Sequence, residues 1–254
     1  DHLFANVHQQ HGLFGALIVE PAGAKFLDPH TGEPLKRGTQ AVIRTADGKV
    51  FREFVLFCHD FALLFDQDGN PINPEVPGSE DDPGVMGINY RCEPMPERLR
   101  RKDDPSHIFS SWVYGDPATP ILETYPGEPV RIRLLDGAHE EQHAWNLTGL
   151  PWRREITDPV SPLVQAQTLG ISESFSLHID EPYQAGDYLY YFGGIDDVWL
   201  GLWGILRAYA QPQRNLPPLC GQKPRVPCLA PPPGAVIRKF EIAAIQKDLV
   251  YNRF

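Results

Sequence analysis

Apolar and polar residues alternate with a period of two in several short stretches of this chain, and turns rich in proline, glycine and acidic residues separate them. The clearest stretch is Val130-Arg131-Ile132-Arg133-Leu134-Leu135, whose alternation predicts a strand with one buried face. Ser172 to Ile179 repeats the pattern, Gly186 to Phe192 follows a tight turn, and Trp203 to Tyr209 closes the unit. Upstream, Ala41 to Arg44, the Asp47-Gly48 turn and Val50 to Phe57 predict a hairpin of β-prone residues. The apolar run continues through Cys58-His59-Asp60 to Phe65, and Ile121 to Tyr125 runs into the turn Pro126-Gly127-Glu128-Pro129. Many short strands at near-regular spacing predict an all-β Greek-key sandwich.

The segments between the strands are turn chemistry. Asp66-Gln67-Asp68-Gly69-Asn70-Pro71 is a turn, Pro74 to Gly84 a long acidic loop, and Gln211 to Gly234 a proline-rich linker. Two apolar stretches stand outside this unit. Leu13 to Val19 reads as a strand near the first residue, and Ile237 to Ile245 as another near the last. Neither has partner strands within the chain, so the sequence reads as an excerpt from a longer protein. Gly12-Leu13-Phe14-Gly15-Ala16-Leu17 and Gly201-Leu202-Trp203-Gly204-Ile205-Leu206 share one form, which suggests two copies of one fold in series.

Composition narrows the function classes. With 26 prolines and 22 glycines in 254 residues, few places favour a helix. A formal charge of -10 disfavours nucleic acid and anionic membrane as partners. The one basic run, Arg98, Arg100, Arg101 and Lys102, lies between prolines and Asp103-Asp104 and reads as a solvated loop. No run approaches the roughly 20 apolar residues of a membrane span. Cys220 and Cys228 stand close enough in sequence to pair in an oxidising compartment, while Cys58 reads as a buried cysteine rather than a nucleophile. Asn146-Leu147-Thr148 matches a glycosylation acceptor. Trp199, Trp203, Tyr190 and Tyr191 read as sandwich core.

In these segments the chain resembles the multicopper oxidases, which are built from repeated cupredoxin domains. The resemblance is carried by Asp1-His2, Gly12-Leu13-Phe14-Gly15-Ala16-Leu17-Ile18-Val19-Glu20-Pro21, Gly87-Ile88-Asn89-Tyr90-Arg91, Tyr125 to Arg131, and Gly186-Asp187-Tyr188-Leu189-Tyr190, in the family's order. Glu140-Glu141-Gln142-His143 and Leu249-Val250-Tyr251-Asn252-Arg253 are similar to the large bacterial spore manganese-oxidase type. The resemblance implies a division of the chain: residues 1–22 end a first cupredoxin domain, 23–47 connect and open the next, and 48–210 form a complete cupredoxin-like domain. Residues 211–235 are the linker, and 236–254 begin a following domain. It also implies copper as cofactor, neighbouring cupredoxin domains, molecular oxygen and a reducing substrate as partners, and an extracellular or periplasmic location. The implied activity couples one-electron oxidation of a metal ion or a phenol to reduction of oxygen to water, with the fragment alone inactive. The alternative is a copper-free cupredoxin array acting as a structural or binding module.

The complete domain departs from the family where the copper thiolate belongs. After Gly186-Asp187-Tyr188-Leu189 the chain has Tyr190-Tyr191-Phe192-Gly193-Gly194, with Phe192 in the place of the cysteine. The expectation is a domain without blue copper, which an imidazole and thiol brought together inside it would contradict. Candidate metal ligands are His2, on the family motif, with His8 and His11 beside it, and His139 with His143. Imidazoles next to Glu140 and Glu141 suit a divalent cation, although the plainer reading is a solvated loop at a strand end. Glu80-Asp81-Asp82 reads as a bare acidic loop. A hydrolase using His143 and Glu141 lacks a nucleophile motif. No catalytic residue is named.

Overall fold

A computed structural model describes residues 3–71, 84–102, 104–138, 140–194, 196–219, 234, 236 and 238–243. The expected Pro74–Gly84 loop, Glu80-Asp81-Asp82, His2, His139, Cys220, Cys228 and the Leu249–Arg253 segment therefore lie wholly or almost wholly outside the described residues. Within them the chain is an all-β sandwich of two main sheets.

The first sheet contains β1 (Lys25–Leu27), β2 (Gln40–Arg44), β3 (Val50–Ala62), β6 (Val130–Asp136) and β11 (Ser174–Ile179) in that spatial order, and β4 (Val85–Ile88) pairs with β3. β3 is long enough to serve two neighbours on one side: its first half pairs with β2 across the predicted Asp47-Gly48 hairpin, its second half with β4. On its other side β3 runs parallel to β6, with Arg52 opposite Val130 and Cys58 opposite Asp136. The second sheet orders β10 (Ala166–Leu169), β7 (His143–Leu147), β12 (Gly186–Phe192), β13 (Trp203–Ala208) and β5 (Leu122–Thr124). A two-stranded ribbon, β8 (Trp152–Arg153) with β9 (Leu163–Val164), completes the set. The predicted strands at 121–125, 130–135, 172–179, 186–192 and 203–209 are all present, and β1 and β2 share the sheet of β3.

Period-two burial fills the space between the sheets. β6 alternates fully through Val130, Ile132, Leu134 and Asp136, and β7 through His143, Trp145 and Leu147. They meet Phe54, Leu56 and Cys58 of β3 and Tyr190 and Phe192 of β12 in one continuous core. Of the four aromatics expected there, Tyr190 is fully buried in it and Trp199 packs partly buried against it, whereas Trp203 is fully buried in a separate cluster with Met95 and Ile205, with Tyr191 partly buried beside it. Asn146 lies half-buried on β7 and donates its side-chain amide to the Ala144 carbonyl.

Three expectations are corrected. Leu13 to Val19 joins no sheet; the segment lies along the sandwich with Phe14 and Ile18 half-buried and Leu17 and Val19 exposed. Of the predicted strand at 237–245, residues 238–243 are described and are not strand. The basic run is not a solvated loop but the helix α2 (Met95–Arg101), and Arg98 within it is completely buried. Its guanidinium binds Glu93 at 2.9 Å and the Gly115 carbonyl at 2.9 Å, and lies 4.9 Å from the Trp203 ring centroid and 5.3 Å from that of Tyr114. Hydrogen bonds and two aromatic faces replace its hydration, which is what burying a guanidinium requires.

Candidate functional site

Each of three inward-facing rows ends in a polar residue at one end of the sandwich. Along β3 the row Phe54, Leu56 continues to Cys58 and Asp60; along β6 the row Val130, Ile132, Leu134 continues to Asp136; β7 begins with His143 before Trp145 and Leu147. Strand geometry fixes this convergence. The β3–β6 register sets Cys58 beside Asp136, and the short connection from Gly137 to Gln142 carries the chain to the other sheet, so that His143 faces them.

The five side chains are buried: Cys58, Asp60, His143 and Asp197 have no exposure, and Asp136 has 3%. Asp197 belongs to the short helix α3 (Asp197–Leu200), which follows β12. Its carboxylate receives His143 Nδ1 at 2.8 Å, while His143 Nε2 lies 3.9 Å from Asp60 Oδ2. Asp60 Oδ2 also accepts the backbone N–H groups of Glu140 and Glu141 at 3.1 and 3.0 Å. The Cys58 thiol donates to Asp136 Oδ1 at 3.7 Å, and the backbone N–H of Ala138 donates to the same oxygen at 2.8 Å. Gly194 is required here, because a Cβ on it would come within 2.3 Å of Asp197 Oδ1.

Burial governs the electrostatics. It pushes the Asp136 carboxyl up to about 7, against the Ala138 hydrogen bond and the nearby His143. Burial also raises the Cys58 thiol, with the charges of Asp136, Asp60 and Asp197 adding to it. For His143 burial opposes protonation, but the hydrogen bond and charge of Asp197, joined by Asp136 and Asp60, outweigh it and raise the imidazole. Three carboxylates thus converge on one imidazole, an arrangement that is costly in a low-dielectric core unless protons or a cation compensate it.

The sequence-derived ligands are distributed unevenly. His143 is in the cluster, but fully buried, which overturns the solvated-loop reading; Glu140 and Glu141 are exposed and contribute backbone rather than carboxylates. His139 and His2 lie outside the described residues. His8 is half-buried at the end of α1 (Ala5–His8), with its ring edge against Phe4, and His11 hydrogen-bonds through Nδ1 to the Val7 carbonyl. His11 does share a cleft of about 340 Å³ with His59, Tyr90, Arg91 and Cys92. Asp60, Asp136 and Asp197 were missed in the sequence. Extending the alternation of β3 and β6 by one step finds the first two.

Phe192, which the sequence resemblance sets at the position of a copper thiolate, is fully buried and edge-on to His143 with ring centroids 6.2 Å apart. A phenyl ring offers no ligand atom, so this position does not fit blue copper. A thiol nevertheless stands near that imidazole, supplied by Cys58 from β3, and Cys58, Asp136 and His143 place one ligand atom each within 4.8 Å of one another. The expectation that no imidazole and thiol would meet inside this domain is overturned.

No protein-family profile matches the chain, and no curated protein matches it. Among solved structures it is similar to a copper-containing nitrite reductase from Thermus scotoductus SA-01, at 18% identity and a TM-score of 0.37, over 65% of this chain and 31% of that one. A multicopper oxidase gives 12% identity and 0.38, over 68% of this chain and 57% of that one. A copper nitrite reductase from Nitrosomonas europaea gives 15% and 0.41, over 65% and 51%. The matched part of this chain spans about a third to just over half of the length of these proteins.

Proposed function

We propose that the chain is a cupredoxin-type domain of a copper-dependent oxidase, which couples one-electron oxidation of a metal ion or a phenol to reduction of oxygen to water. In this reading the domain positions copper-bearing cupredoxin neighbours, outside the cytoplasm, and does not itself hold blue copper. Copper supplies the one-electron steps; this chain supplies placement.

The observation that carries the reading is the docking of the histidine-bearing arm. The Phe14 ring rests on Gly137 and stacks on Tyr90 at a centroid distance of 5.4 Å. Gln9 donates to Ser172 at 2.7 Å, and Glu20 holds Arg133 at 2.5 Å. These contacts fix the segment carrying His8 and His11 against the end of the sandwich where Cys58, Asp136 and His143 converge. A segment held by a ring, an amide and an ion pair has a defined position, as metal ligands shared between domains need. The buried Phe192 offers no ligand, and the Cys58 thiol is grouped with one imidazole where blue copper takes two; both support the absence of blue copper from this domain.

The test is oxygen uptake by the natural full-length protein loaded with copper, with Mn²⁺ or a phenol as reductant. Uptake dependent on reductant, with both copper content and kcat reduced in His2→Ala, is the expected result. A protein that retains no copper and consumes no oxygen would leave only the structural-module reading.

A further inference from the structure

We propose that Cys58, Asp136 and His143 form a buried site for one Zn²⁺ ion, independent of any copper elsewhere in the protein. The first ground is geometry. Ligand atoms around tetrahedral zinc, at about 2.0–2.3 Å from the ion, stand roughly 3.3–3.8 Å apart. Cys58 Sγ and Asp136 Oδ1 are 3.7 Å apart, and the sulfur, a carboxylate oxygen and an imidazole nitrogen all lie within 4.8 Å of one another. Small side-chain adjustments close that distance.

The second ground is unmet bonding. His143 Nε2 is fully buried and has no hydrogen-bond partner, and the same is true of Asp136 Oδ2. Buried polar atoms without partners are rare in folded proteins and call for a reason. Both belong to residues whose ligand atoms lie within 4.8 Å of one another and of Cys58 Sγ, and an ion bound by His143 Nε2 and a carboxylate oxygen of Asp136 gives the orphan nitrogen its partner and shares the carboxylate's charge.

The third ground is the arrangement behind the ligands. Metal-bound imidazoles commonly give their other ring N–H to a carboxylate, which fixes the tautomer and leaves the free nitrogen aimed at the ion. Asp197 does this for His143, accepting Nδ1–H at 2.8 Å. Asp60 Oδ2 lies 3.9 Å from Nε2, held by two backbone N–H groups, and adds negative charge beside the site. One nitrogen, one sulfur and one oxygen suit zinc better than calcium or magnesium, which prefer oxygen alone. Binding releases the thiol proton to solvent. A cleft of about 160 Å³ lies under the arm, lined by Gln9, Phe14, Asp136 and Gly137.

The full chain is purified, freed of metal and titrated with Co²⁺ as a spectroscopic stand-in for zinc. The expected result is one equivalent bound with a thiolate-to-cobalt charge-transfer band, displaced by Zn²⁺. The band is lost in Cys58→Ser and retained in Cys92→Ser and in the Cys220→Ser/Cys228→Ser double variant. A band that survives Cys58→Ser, or that vanishes with Cys220 and Cys228, overturns the assignment. X-ray absorption at the zinc edge of the unaltered protein covers the case in which Cys58→Ser does not fold: one sulfur scatterer with nitrogen and oxygen supports the site, whereas nitrogen and oxygen alone, two or more sulfurs, or no retained zinc refutes it.

Discussion

At the scale of single residues, polar groups in this sandwich are placed by strand alternation and then tuned by burial. His178 on β11 shows it away from the site. Burial first, then the charges of Arg131 and Arg133, push its imidazole down to about 4 from the ordinary 6.5. Between those values the unfolded chain takes up a proton that the folded chain refuses, so stability should fall as the pH drops from about 6.5 to about 4 and level off below. Because His178 is only partly buried, screening reduces the loss to about 1–2 kcal/mol. Urea midpoints measured across that range should show this slope in the native protein and lack it in His178→Gln; an unchanged slope in the variant would assign it elsewhere. The same alternation made half of the candidate site legible. Cys58 and His143 stood out as residue types, but Asp60 and Asp136 looked like acids at strand ends, where turns also begin. Asp197 could not be anticipated, since it meets His143 only through the pairing of β12 with β7.

At the scale of elements, what the sequence predicted well was governed by local periodicity, and what it missed was governed by distant partners. The hairpin of β2 and β3 and the alternating β6 needed only their own residues. Residues 13–19 have the composition of a strand, yet they lie on the outside of the sandwich, held by Phe14 and Glu20, with no ladder to join. Phe14→Ala should release this arm: losing the ring's contacts with Gly137, Phe57, His59 and Tyr90 costs about 1.5 kcal/mol of docking, which is roughly a tenfold rise in open arm. Limited proteolysis should then cut between residues 13 and 19 about ten times faster while the sandwich stays intact; equal rates would show that the ring does not hold the arm. The turn Tyr125-Pro126-Gly127-Glu128 is tied more tightly. Buried Glu128 binds Arg52 through two contacts of 2.5 and 3.3 Å, accepts the Leu219 N–H at 2.6 Å, and Arg52 reaches the Pro217 carbonyl at 2.8 Å. Glu128→Ala leaves a guanidinium buried without its carboxylate, and equilibrium unfolding should show a loss of about 3–5 kcal/mol. A loss under about 1 kcal/mol would mean that water enters and solvates Arg52.

At the scale of the whole molecule, the sandwich joins strands that are distant in the chain. β3 lies parallel to β6, and β13 lies parallel to β5. The order of synthesis therefore matters. A nascent chain exposes Arg52 to Cys58 before Val130 to Asp136 has been made, a delay of roughly 4–16 s at about 5–20 residues per second. During that interval an apolar strand of 13 residues has only its hairpin neighbour and β4 to cover it, and its remaining edge can pair with another copy of itself. Expression yield should thus depend on translation speed and on chaperones that shield extended segments, more than on the stability of the finished fold.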